Sequence, residues 1–255
     1  MLRNRVIPIL LLKNAGLVKT QKFKNPKYVG DPINAVRIFN DKEVDELVFL
    51  DISATPQKRG PNFELIKDIA TEAFMPFAYG GGITSLNEIE KLINLGVEKV
   101  VLNTVAVTNP KIISEAANIF GNQSIVVSID IKKTLFNGKK SFTHCGQTKN
   151  AKNYIDYAKE IEQLGAGELI INSIDNDGMM QGYDLQLIKN IAEIVQIPVV
   201  AAGGAGNLTH FKQAIEEAQA SAVAAGSLFV FNGPHRAVLI SYPKYIELEQ
   251  LFQYK

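Results

Sequence analysis

Short apolar runs alternate along the chain with segments in which apolar residues recur every three or four positions. The runs are "VIPILLL", "ELVFLDI", "PFAY", "KVVLN", "SIVVSIDI", "ELIINSI", "PVVAA" and "AVAA". They are short and mostly continuous rather than strictly alternating, the pattern of strands buried on both faces. Between them, "NFELIKDIATEAF" and "YDLQLIKNIAEIV" carry helical periodicity. Ser85 to Glu88 reads as a capping box, and Asn109-Pro110 as a cap followed by proline at the first helical position. Eight strands alternating with helices predict a parallel sheet covered by helices. With 255 residues and no linker-like stretch, the predicted architecture is one α/β domain over residues 1–255, a closed (β/α)8 TIM barrel.

An internal repeat supports the barrel. Pro76 and Pro198, which open the third and seventh runs, stand 122 residues apart, and the same offset pairs Glu46 with Glu168 and Gly81-Gly82 with Gly203-Gly204. Earlier in each half the offset is 119, pairing Lys13 with Lys132 and Leu11 with Asp130. Two half-barrels, about 1–122 and 123–245, account for both. Such symmetry predicts paired features at the C-terminal rim, where barrel active sites lie.

Composition narrows the partners. The chain is 46% hydrophobic and 21% charged with a formal net charge of +1, which argues against nucleic acid or a membrane surface as the partner. Val6–Leu12 is too short to span a membrane and has no cleavage site after it, so neither a signal peptide nor a membrane span is expected. The single cysteine, Cys145, cannot form an internal disulfide and fits a reducing cytoplasm.

The candidate chemistry sits at the run ends. "YGGGIT" and "AAGGAGN" are glycine loops after the third and seventh strands, carrying Gly81, Gly82, Gly203 and Gly204. Asn103-Thr104 and Ala225-Gly226-Ser227 end the fourth and eighth strands. Glycine lets backbone N–H groups approach an oxyanion, and a helix N-terminus behind them favours negative charge. Two such loops at symmetry-related places predict a ligand with a phosphate at each end; tight turns alone are the bland alternative. Asp51 ends the second strand, Asp130 lies in the fifth, and Asp175 and Asp177 follow the sixth. A carboxylate there serves as acid or base when burial tunes it, whereas Asp51 and Asp175 equally suit tying loops together. Asp130 interrupts an apolar strand and is the preferred catalytic candidate. Lys19 is either a phosphate contact or a solvated loop lysine. Arg5, Glu46, Lys99 and Glu168 begin strands, and on pattern alone they read first as a salt-bridge ring stabilising the barrel bottom. Cys145 and His144, in the loop-like "FTHCGQTK", have no nucleophile–base spacing, and His210 reads as a helix-surface residue. No metal-ligand spacing or ATP-binding glycine loop is present, and no cofactor is predicted.

The stretches "DELVFLDI", "YGGGI", "VEKVVLNT", "VVSIDIKK", "GAGELIINSIDNDG" and "AAGGAG" resemble the cyclase subunit of imidazole glycerol phosphate synthase, the HisF family, over nearly the whole chain. The resemblance implies a duplicated barrel binding a bisphosphorylated substrate. It also implies a HisH-like glutaminase docked on the barrel bottom, with ammonia passing through a charged gate to the top rim. The gate residues match Arg5, Glu46, Lys99 and Glu168, which turns the bottom charges from a stabilising ring into an ammonia entrance. Glu98 matches a partner-contacting acid, and Gln123 follows the family pattern. Lys19, Asp51, Asn103, Asp177, Gly178 and the glycine loops match the substrate site. Of the family's two acid/base aspartates only Asp130 is kept; Leu11 stands in place of the other. Asn172 and Ala202 stand where the family usually has Thr and Ser. A leucine cannot transfer a proton, which argues against ordinary ring closure.

The ending "NGPHRAVLISYP" and the opening "LLLKNAGLVKT" resemble a narrower branch, associated with acetamidino modification of bacterial surface sugars. That resemblance implies ammonia delivery to a separate ATP-using sugar amidotransferase. The alternatives carried forward are a working cyclase of histidine biosynthesis and a non-catalytic scaffold or activator of the glutaminase.

Overall fold

The computed structural model describes residues 4–135 and 138–252. Its centre is a ring of eight parallel strands. These are β1 (Arg5–Lys13), β2 (Leu47–Asp51), β3 (Phe77–Gly80), β4 (Lys99–Leu102), β5 (Ile125–Thr134), β6 (Glu168–Ser173), β7 (Val199–Ala202) and β8 (Ala222–Ala225). Each pairs with the next, and β8 pairs with β1, so no edge is left open. This is the predicted (β/α)8 barrel.

The strands are apolar on both faces because each face meets a different layer. In β1, Val6, Leu10 and Leu12 pack outward among the residues under the helices, with Phe39, Phe49 and Phe211. Ile7 points the other way, into the lumen, with Val48, Ala78, Val101, Val126, Ile170, Val200, Ala222 and Ala224. The strand period of two sorts one continuous apolar run onto two cores.

Helices start where the caps predict. Ser85 and Glu88 form the reciprocal capping box of helix Leu86–Asn94. At helix Lys111–Phe120 the outcome differs: Pro110 takes helical dihedrals, but no side chain caps that end. Asn109 contributes its carbonyl, to the Ile112 N–H, in place of its side chain.

Two segments read as loops are β-ribbons. Residues Gly16–Gln21 fold back on β1 and pair with Lys24–Gly30. Gly138–Thr143 folds back on β5 and pairs with Thr148–Lys149. Lys19 therefore lies in a strand, and His144 and Cys145 form the turn of the second ribbon. Both ribbons continue strands past the rim, so their exposed backbone is paired. No helix among the described residues is long and apolar enough to cross a membrane.

Candidate functional site

The inward faces of four strands read the same way from bottom to top: charge, aliphatic, then the mouth. They run Arg5–Ile7–Ile9–Leu11 on β1, Glu46–Val48–Leu50 at β2, Lys99–Val101–Asn103 at β4 and Glu168–Ile170–Asn172 on β6. The two ends of the barrel are thus written on the same strands.

At the bottom, four charges close into a ring. Arg5 Nη1 lies 2.6 Å from Glu46 Oε2, and Arg5 Nη2 bonds Glu168 Oε1. Lys99 Nζ donates at 3.0 Å to Glu46 and at 3.0 Å to Glu168. Both glutamates are buried at 5% exposure, and each is held by two cations. Burial works against the Arg5 charge, but Glu168 and Glu46 outweigh it and hold the guanidinium more firmly protonated than usual. Glu98 and Gln123 are exposed, with Glu98 beside Lys99 and Gln123 just ahead of β5.

At the top, the mouth holds a cavity of about 420 Å³. Lys19, Asp51, Gly81, Gly82, Asn103, Thr104, Asp130, Asn172, Asp177, Gly178, Gly203, Gly204, Ala225, Gly226 and Ser227 all line it, as does Leu11. The sequence-derived rim set is therefore brought together in one place.

Asp130 is one of its buried carboxylates, 8% exposed. Asn103 Nδ2 donates to its Oδ2 at 3.2 Å, and Asn172 Nδ2 and Ser128 Oγ donate to its Oδ1 at 3.3 and 3.4 Å. Burial pushes Asp130 up to about 7, and the nearby Asp177 charge adds to this against the hydrogen bonds of Asn172 and Ser128. Asn172 Oδ1 is buried and accepts no hydrogen bond. A Cβ on Gly203 would fall 2.5 Å from it, so that glycine makes room for the amide.

Lys19 is not a solvated lysine. It is 5% exposed and its Nζ donates to the Ile9 carbonyl. Burial pushes it down to about 8, opposed by the charge of Asp177. Asp177 accepts from Thr20 Oγ1 at 2.8 Å and from the Phe23 N–H at 3.4 Å, which locks the first ribbon to the loop after β6; burial raises its pKa. Asp51 lines the cavity, yet its oxygens are occupied by Ser53, the Ala54 N–H and Arg59 Nη2, the last at 2.7 Å. It ties the loop after β2. Asp175 likewise accepts the Lys133 N–H at 2.8 Å.

Asn103 and Gly226 do not end strands. Each stands just before a short helix, Thr104–Thr108 and Ser227–Val230, so both strands stop two residues short of the expected ends at Thr104 and Ser227. Gly81 and Gly204 have φ of 125° and 123°, where a side chain is strained, and Cβ atoms there would fall 2.5 Å from the Asp51 carbonyl oxygen and 2.1 Å from that of Gly182.

Three contributors escaped the sequence reading. His210 is not idle on a helix surface: its Nδ1 accepts the Gly206 N–H at 3.0 Å, bracing the glycine loop after β7. Arg236 reaches from the ribbon of Phe231–Asn232 and Ala237–Val238 to the Gly178 carbonyl at 3.0 Å, its guanidinium 4.7 Å from the Phe231 ring. The Asn-Gly-Pro of "NGPHR" signals a turn there, but not its target. Cys145 lines the cavity and its Sγ donates to the Ile52 carbonyl; burial, then Asp130 and Asp51, push the thiol up to about 11. A thiol so raised is a poor nucleophile. Among the described residues no cluster of His, Cys, Asp and Glu is arranged to hold a metal ion.

A profile of the family described as histidine biosynthesis protein matches residues 5–234. A provisionally named imidazole glycerol phosphate synthase subunit, hisF2, of Pseudomonas aeruginosa is 53% identical over 98% of this chain and 99% of its own length. A provisionally named HisF subunit of Leptospira borgpetersenii is 50% identical over 99% and 100%. The imidazole glycerol phosphate synthase subunit HisF of Thermococcus onnurineus is 44% identical over 91% of each chain.

Proposed function

Because the chain belongs to the HisF family of imidazole glycerol phosphate synthase subunits, we propose that it is the ammonia-receiving barrel of a glutamine amidotransferase complex. A HisH-like glutaminase docks on the barrel bottom, over the ring of Arg5, Glu46, Lys99 and Glu168 and the exposed Glu98 and Gln123. Ammonia released there enters the lumen. Above the ring the inward residues are aliphatic and often alanine, a column that admits neutral ammonia and disfavours ammonium, which carries a charge into apolar surroundings. The mouth binds a phosphorylated small molecule through Lys19 and the glycine loops.

The product of this delivery is an acetamidino sugar of a bacterial surface glycan, such as lipopolysaccharide. A separate ATP-using amidotransferase converts the acetamido group to the acetamidine, in the cytoplasm. The observation that carries the reading is β1. Arg5 keeps its place in the ring, while Leu11 faces the mouth where the family's proton-transfer residue stands. Losing one general acid or base typically costs about 10²–10⁴ in rate.

Mixing the purified chain with its glutaminase is expected to stimulate glutamine hydrolysis. Efficient conversion of the histidine-pathway substrate by this chain with ammonium overturns the proposal.

One observation favours a second reading, cyclisation within histidine biosynthesis. Asp130, held near 7 by burial, is poised for proton transfer at neutral pH. Leu11→Asp separates the two: a large gain of cyclase activity marks the natural chain as disabled at that step, and unchanged robust activity favours the cyclase.

A further inference from the structure

Leu11 pairs in register with Leu50 of β2, and both side chains face the cavity beside Ile9, each partly exposed to it. Asp130 pairs in register with Asn172 of β6. The two pairs are four strands apart in a closed ring of eight, which is half a turn, so they face each other across the mouth. The loops after β3 and β4 fill one of the remaining quarters, and those after β7 and β8 the other. A ligand anchored by its anionic end in a glycine quarter therefore lies between an apolar wall and a hydrogen-bonding wall.

The leucine wall is accommodated by its surroundings. A Cβ on Gly80 would fall 2.7 Å from the Val101 carbonyl oxygen and 3.0 Å from Leu50 Cδ2, so the glycine leaves room for β4 and for Leu50 at the mouth together. Leucine surface open to a cavity is stabilised when a ligand's hydrocarbon covers it. A hydroxyl pressed there finds no partner and loses its water.

We propose that Leu11 and Leu50 form an apolar subsite for a methyl or short alkyl group on an anionic ligand whose hydrogen-bonding edge faces Asp130 and Asn172. This rests on the reading that the mouth binds a phosphorylated molecule, and it narrows that molecule's class: fully hydroxylated chains are disfavoured on the β1–β2 side.

Hexyl phosphate and sorbitol 6-phosphate share a six-carbon chain and one phosphate, and differ in hydroxylation. Titration calorimetry on the full chain is expected to favour hexyl phosphate by about tenfold or more. Leu11→Asn and Leu50→Asn each shrink that preference while affinity for inorganic phosphate is unchanged. In the unsubstituted chain, which bypasses any folding defect, methyl-labelled NMR is expected to show hexyl phosphate shifting the Leu11 and Leu50 methyls more than sorbitol 6-phosphate does. Equal affinity for the two esters, or a preference that survives both substitutions, overturns the apolar subsite while the phosphate site stands. Failure of inorganic phosphate and both esters to bind overturns the phosphorylated-ligand reading, and the subsite with it.

Discussion

The Lys19 ammonium nitrogen lies 2.5 Å from the point that a Cβ on Gly226 would occupy, so these two residues of opposite halves of the chain share one space. Gly226 has φ of −113°, which any residue adopts. Gly226→Ala therefore tests crowding without backbone strain. The methyl is expected to displace Lys19 from the Ile9 carbonyl and lower inorganic phosphate affinity by about tenfold, the scale of one lost charge-assisted hydrogen bond. Calorimetric titration measures it, and a thermal melt checks that the fold is kept.

Burial also sets a pH dependence on this lysine. Lys19 is held down to about 8, so the empty site loses its cation as pH rises through that value. A bound phosphate stabilises the charged form and raises the pKa. Phosphate affinity is expected to fall between pH 7 and 9, with proton uptake on binding near pH 8. Calorimetry in buffers of differing ionisation enthalpy reads that uptake directly, and Lys19→Met is expected to abolish it.

Asp130 carries the opposite linkage. Its carboxyl is raised from 3.8 to about 7 in the folded chain. The native state then binds the proton more tightly than the unfolded chain. The contribution of Asp130 to stability is most favourable below pH 4 and declines as pH rises towards 7. Asp130→Asn keeps the shape and removes that decline, so the variant is expected to gain about 1–4 kcal/mol over the parent at pH 8 relative to pH 4. Urea denaturation of both proteins across this range measures the difference. A gap that does not widen with pH rules out a strained carboxylate.

At the barrel bottom, Lys99→Met leaves Glu46 and Glu168 sharing Arg5 alone. Breaking one member of a fully buried pair costs about 3–5 kcal/mol. Here Arg5 is 30% exposed, and solvent softens the loss to about 1–3 kcal/mol. Glu46→Gln combined with Lys99→Met is expected to cost less than the sum of the two alone, because the partners are removed together. Urea midpoints of the three variants give the coupling.

Much of this was legible in the chain. Eight apolar runs gave eight barrel strands, and the glycine loops, strand-end acids and strand-start charges gave the cavity lining and the ring. These are local signals: period, run length and residue type at a run's end. The environment of each group was not legible. Whether Lys19 is solvated depends on a ribbon folding back over β1, and whether Asp51 is free depends on how the loop after β2 turns Arg59 back onto it. His210 braces the glycine loop after β7, and Arg236 the loop after β6, through contacts made only after the barrel closes. Strand ends expected at Thr104 and Ser227 lie two residues earlier, because a helical turn begins there that apolar patterning does not mark.

The alternation along β6, with Glu168, Ile170 and Asn172 on one face, restricts how such a protein can change. Inserting or deleting a single residue between them turns one end of the strand inside out while the other stays put. The two ends of the barrel are therefore free to diverge by substitution, but not by drifting in length; changes in length are confined to the loops and ribbons outside the ring. Leu11 fits that restriction. Its side chain sets the chemistry of the mouth, while Arg5, six residues earlier on the same strand, sets that of the bottom.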